Sequence, residues 1–299
     1  MNDRIRLSAA MTLVLAFVLT ACKGAGGGPP IDHPAGDALV LRVHNEGGFV
    51  PIEYIFTSAP SFTLLGDGRV FVPGAQIEIY PGPALPSLNV RRLSEAGIQA
   101  VLEEVLKSGL FAADAQYLGA QTYVADAQDT IFSLHTAGGD ATIRVYALGI
   151  VSAGDSHPGI SSAELAAHAA LYTLNTRLMD LDSWLPDGSW AEAEWTAYRP
   201  DTLRLLVRNA DAEQPDASGI PNTVVPWPTS EDPSAFGAPA NGATGARCGV
   251  VAGTDAVTWY DTLSAANQLT RFTAGGHRYA VAVRFFLPDE PLECPPNTY

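Results

Sequence analysis

The residues whose types and spacing best suit chemistry are Gly154-Asp155-Ser156-His157, a hydroxyl nucleophile between an acid and an imidazole. Serine catalysis needs a base within hydrogen-bond reach and an acid that orients the base. A nucleophile elbow also needs glycine two places after the serine, and Pro158 stands there. Side chains flanking a serine on a tight turn usually diverge, and Pro158-Gly159 leading to a helix cap at Ser161 gives the segment a structural purpose. The six histidines (His33, His44, His135, His157, His168, His277) form neither His-x-x-x-His nor His-Glu-x-x-His, so zinc has no local scaffold. The expectation is therefore no catalytic residue, no metal and no cofactor. A secreted hydrolase using Ser156 or a distant His/Asp set is the rival.

Two further groups invite a site. Asp180, Asp182, Asp187, Glu192 and Glu194 offer the hard oxygens that calcium prefers. The EF-hand spacing fails at Trp184, which occupies the place of the third ligand, so a solvated acidic loop is the simpler reading. Trp184, Trp190, Trp195 and Trp227 could stack a glycan or grip a peptide if exposed, or weld two subdomains if not. The Gly-Asp-Ser block resembles that of lipase-like SGNH hydrolases, which also carry a downstream Asp-x-x-His. That spacing occurs nowhere in this sequence.

These groups must be delivered somewhere, and the N-terminus says where. Asn2-Asp3-Arg4-Ile5-Arg6 is followed by an apolar run from Leu7 to Thr20 that ends on Leu19-Thr20-Ala21-Cys22. A span needs about 20 apolar residues; this run is shorter and suits a signal peptide. The ending resembles the lipobox of bacterial lipoprotein signal peptides. That resemblance implies removal of residues 1–21, acylation of Cys22, and a partner that is the outer face of a cell-envelope membrane. Two acyl chains hold where one is marginal. Residues 22–37, Gly- and Pro-rich, form a flexible tether. With Cys22 lipidated, Cys248 and Cys294 remain as an even pair, which an oxidising compartment would join. A protease inhibitor presented on that staple is a third functional class.

The chain has 299 residues and a formal net charge of −15, with 17 Lys+Arg against 32 Asp+Glu. That balance lacks the basic surface that phosphate binding needs, so nucleic acid is excluded as a partner. Apolar residues at 47% are enough for a real core. Leu39–Val43, Ile52–Phe56, Phe62–Leu65, Arg69–Val72 and Gln76–Tyr80 read as strands, with Gly66-Asp67-Gly68 closing a hairpin. Ser94–Ser108 reads as a helix, with Ser94 as cap, a Leu93–Ile98 staple and Gly109 beyond its end. Thr130–Leu134 and Thr142–Tyr146 form a second hairpin. A second helix over Ser161 to about Leu185 carries a seam at Ala167, Leu171, Leu174, Leu178, Leu181 and Leu185. Further on, Leu203–Val207, Arg247–Val251 and Arg278–Leu287 read as strands and Asp255 to about Gln268 as a helix.

The fold expected is α+β: antiparallel hairpins packed on two helices over 38–195, then a smaller disulfide-stapled β-α-β subdomain over 196–299, with a long Pro/Gly-rich loop at 211–245. From Leu39 to Leu185 the order resembles small domains of unknown function in secreted bacterial proteins and lipoproteins. The features that carry it are Phe62-Thr63-Leu64, Gly66-Asp67-Gly68, Leu110-Phe111, Val145-Tyr146 and the seam ending at Trp184. The resemblance brings no catalytic residue. The functional expectation is a membrane-tethered binding or envelope protein with a protein or glycan partner.

Overall fold

The computed structural model describes residues 29–76, 78–151, 159–240, 243 and 245–295, and divides the chain into two units, Met1–Pro30 and Ile31–Tyr299. The second unit is an α+β fold with two mixed sheets and four helices.

Along the first half run Leu39–Gly47 (β1), Ile52–Thr57 (α1), Phe62–Leu65 (β2), Arg69–Pro73 (β3), Leu88–Arg92 (β4) and Glu95–Lys107 (α2). Ala115–Tyr117 (β5), Gln128–Thr136 (β6), Gly139–Tyr146 (β7), Ser162–Met179 (α3) and Thr196–Ala197 (β8) follow. Their eight strands order as β5-β7-β6-β1-β2-β3-β4-β8. All pairings are antiparallel except β5 with β7. The second half supplies Thr202–Asn209 (β9), Val224–Pro226 (β10), Ala238–Pro239 (β11), Ala246–Ala252 (β12), Gly253–Ser264 (α4), Arg271–Ala274 (β13) and His277–Phe285 (β14). Its sheet orders as β10-β13-β14-β9-β12-β11.

Local chemistry accounts for the helices. Ser94 accepts a hydrogen bond from the Gly97 amide at 3.3 Å, and Gly109 takes a left-handed φ of 68°, the conformation a residue without Cβ adopts freely. Ser161 caps α3 in the same way through the Glu164 amide at 3.1 Å. Helix α3 ends at Met179, before the sequence seam does. Leu181 and Leu185 continue the buried row through a short 3-10 turn, while the Trp184 indole donates to the Arg177 carbonyl at 2.8 Å. The seam is therefore a packing line rather than one unbroken helix, and Pro186 forbids extending it.

Two expected strands differ. Ile52–Phe56 is the helix α1: Pro51 (φ −56°) starts it, Glu53 sits in its first turn, and Phe56 is the face it buries. The spacing Ile52…Phe56 serves a helix as well as a strand when the run is this short. Over Gln76–Tyr80 no strand forms among the described residues.

One core gathers α2 and α3 against β1, β2, β3, β6 and β7, around Phe62, Leu102, Phe132, Ile143 and Leu171. A second core joins Leu65, Phe71 and Leu88 of the first sheet to Leu203, Leu205, Trp259, Phe272 and Phe285. Residues 211–240 contain β10 and β11, so this Pro-rich excursion is pinned to the second sheet at both edges.

His168 on α3 is fully buried, and neither ring nitrogen has a hydrogen-bond partner. Burial pushes its pKa below the ordinary 6.5, with the charge of Glu164 opposing. Below that ordinary value the unfolded chain binds a proton that the fold resists. Stability is then complete above pH ~6.5 and falls as the pH drops through it. Urea midpoints measured down a pH series should show this loss, and His168→Leu should flatten that slope. An unchanged slope in the variant would mean His168 is not the group responsible.

Candidate functional site

Alternation along the strands builds the site. On β1, Leu41 and Val43 enter the first core, so Arg42 and His44 point the other way. On β9, Leu203, Leu205 and Val207 enter the second core, leaving Arg204 on the opposite face. On β14, Arg284 lies directly across from Arg204 in the register. The three arginines, with α1 and the segment following β14, line a pocket of about 260 Å3.

The acids that answer them come from the turn Leu287-Pro288-Asp289-Glu290. Asp289 receives Arg42 on both carboxylate oxygens at 2.8 and 2.9 Å, and Glu290 receives Arg284 at 2.8 and 2.6 Å. The Leu287 amide donates to Glu290 at 2.9 Å, fixing the turn that presents it. Burial would raise the Glu290 carboxyl, but Arg284 and the Leu287 amide hold it below its ordinary range. At Asp289 burial wins over Arg42 and the pKa is raised.

Arg204 has no such partner. Its Nε donates to the Glu293 carbonyl at 3.2 Å and Nη1 to the Phe56 carbonyl at 3.3 Å, and no carboxylate forms an ion pair with it among the described residues. The Phe286 ring lies 5.1 Å from its guanidinium carbon. Burial, then the charge of Arg284, lowers its pKa to about 10, with Glu290 and Glu293 opposing. It remains charged at neutral pH, so the pocket carries a cation that no carboxylate bonds among the described residues. Nearby, His44 Nε2 is 3.0 Å from Glu46 and its Nδ1 is buried without a partner. The Glu46 carboxyl is held low, first by His44.

No family model, curated protein or solved structure matches this chain. The site must be read from its own residues.

Those the sequence singled out fall elsewhere. Cys22 with its lipobox, and Ser156 with Asp155 and His157, lie outside the described residues. Cys248 and Cys294 are bonded, with Cα atoms 6.0 Å apart. The tryptophans make no exposed row. Trp227 is buried edge-on to Trp259, ring centres 4.7 Å apart. Trp184, Trp190 and Trp195 pack on the first core, with the Arg91 guanidinium 4.0 Å over Trp190 and Arg177 4.4 Å over Trp184. Of the acidic cluster, Asp182 takes Arg91 at 2.8 Å and the Trp195 indole at 3.1 Å, and Glu192 faces Arg92. Among the described residues no group of three or more His, Cys, Asp and Glu could hold a metal.

Sequence reasoning missed Arg42, Arg204 and Arg284. Each interrupts an apolar strand run (Leu41/Val43, Leu203/Leu205, Val283/Phe285), and a cation so placed must find an anion, water or a carbonyl. That was the available signal. Which anion answers which cation depends on pairings up to 247 positions apart.

Proposed function

We propose that the chain is an extracytoplasmic lipoprotein, anchored through Cys22 and its Gly/Pro tether, that binds a ligand without transforming it. The observation that carries the binding reading is the pocket, where no carboxylate bonds the Arg204 guanidinium among the described residues. In this reading the N-terminal hairpins on α2 and α3 are the scaffold, and the disulfide-stapled C-terminal subdomain brings the ligand-facing strands β9 and β14. The Cys248–Cys294 bridge supports export, because such bonds persist in oxidising compartments. No helix among the described residues is long and apolar enough to cross a membrane, so the lipid carries the membrane contact in this account.

Two labels on the same protein test the proposal. Cells fed labelled palmitate should mark the wild-type chain and not Cys22→Ala, and a fluorophosphonate probe should leave the purified protein unlabelled. Absence of palmitate from the wild type removes the anchor. Stoichiometric fluorophosphonate labelling that Ser156→Ala abolishes makes the chain a serine hydrolase instead.

A further inference from the structure

Among the described residues around the pocket, most charged groups are bonded to an opposite charge. Arg42 is paired with Asp289, Arg284 with Glu290, and Glu46 with His44 and Arg144. Of the three strand arginines, Arg204 is the one that no carboxylate bonds among the described residues, although Glu290 and Glu293 lie near enough to act on its charge. A guanidinium has five N–H donors in a planar fork, of which Arg204 spends Nε and one Nη1 hydrogen on carbonyls. Its Nη2 edge has no acceptor among the described residues, although the side chain lines the pocket. The rest of the wall is mixed: Val50, Tyr54 and Ile55 give it an apolar side, and Asn45, Ser58 and Gln128 a polar one. Beside Val50, Phe49 stands 90% exposed on the loop that Gly47 and Gly48 turn with positive φ of 66° and 78°.

We infer that this pocket binds a small organic monocarboxylate, its carboxylate on Arg204 and its apolar body against Val50 and Tyr54. The inference rests on the ligand-binding reading above and names the ligand class. Three arguments select it. Planar carboxylates match the guanidinium fork, as Asp289 and Glu290 already do on its two neighbours. A monoanion brings less negative charge beside Glu290 and Glu46 than a phosphate dianion would. A volume of about 260 Å3 is below the usual range for drug-sized ligands, so the ligand is small or inserts one acidic end.

Titration of the full chain with benzoate, inorganic phosphate and benzylamine tests this directly. Benzoate should saturate one site with a Kd of about 1 mM or tighter, and phosphate should bind about tenfold more weakly or not at all. Benzylamine, the same ring with the opposite charge, should not bind. Arg204→Gln should weaken benzoate about tenfold without lowering the melting temperature, and Tyr54→Ala should weaken it as well. If Arg204→Gln fails to fold, the wild-type contrast between benzoate and benzylamine decides alone. Failure of benzoate to bind, equal binding of benzylamine, or tighter binding of phosphate overturns the inference. Such a failure in a protein that still takes no fluorophosphonate leaves the non-enzymatic reading standing. Labelling by fluorophosphonate removes that reading whatever benzoate does.

Discussion

Replacing Glu290 by alanine should cost the fold ~3–5 kcal/mol, the usual penalty for leaving one member of a buried pair unanswered. Arg284 and Glu290 side chains are 9% and 8% exposed, so water cannot substitute for the lost partner. The damage spreads beyond the pair. Glu290 also accepts the Leu287 amide, lies 3.9 Å from Arg42, and opposes the charges of Arg284 and Arg204 across the register. Removing it leaves Arg284 without a bonded carboxylate and Arg42 with Asp289 alone. Glu290→Gln keeps hydrogen bonding and should cost less. The double substitution Glu290→Ala/Arg284→Met should recover part of the loss, because it removes the stranded cation as well as its partner. Urea unfolding of the four proteins measures each term. A loss for Glu290→Ala below ~1 kcal/mol would place the pair in the class of solvent-screened surface bridges.

The parts of this architecture legible in sequence are those decided by near neighbours. The Ser94 cap with Gly109 beyond the helix end, and the Gly66-Asp67-Gly68 hairpin, are written within a few residues, and the α+β class follows from their order. Where a short apolar run fits two periods, a neighbour decides, and Pro51 turned Ile52–Thr57 to helix. Tertiary placement is the part that did not read. The sequence treats residues before and after about 195 as successive blocks, but Leu65, Phe71 and Leu88 share a core with Leu203 and Trp259. The pocket needs β1, β9 and β14 brought together. Nothing local in Leu41-Arg42-Val43 or Leu203-Arg204-Leu205 says that both arginines meet at one place. The tryptophans misdirect for the same reason, since an indole's exposure depends on what folds over it.

Opening the Cys248–Cys294 bond should cost about as much as losing Glu290, and the two losses should not add. The bond closes a sequence separation of 46 residues, for which chain entropy gives ~4 kcal/mol, within the ~2–5 kcal/mol usual for native bridges. It also does local work. Cys294 fastens the C-terminal segment to β12, and between that staple and the end of β14 lie Asp289, Glu290 and the Glu293 carbonyl that Arg204 holds. Freed at one end, this strap presents its acids to Arg42 and Arg284 with greater entropy, so part of the ion-pair contribution goes with the bond. Cys248→Ser/Cys294→Ser combined with Glu290→Ala should therefore cost less than the sum of the two, by at least ~0.5 kcal/mol in a double-mutant cycle. Additivity within ~0.3 kcal/mol would show that the Leu287–Glu290 turn holds its acids without the staple. A coupling of the expected sign would mean the disulfide, beyond restricting the unfolded chain, sets how firmly the pocket's arginines are matched.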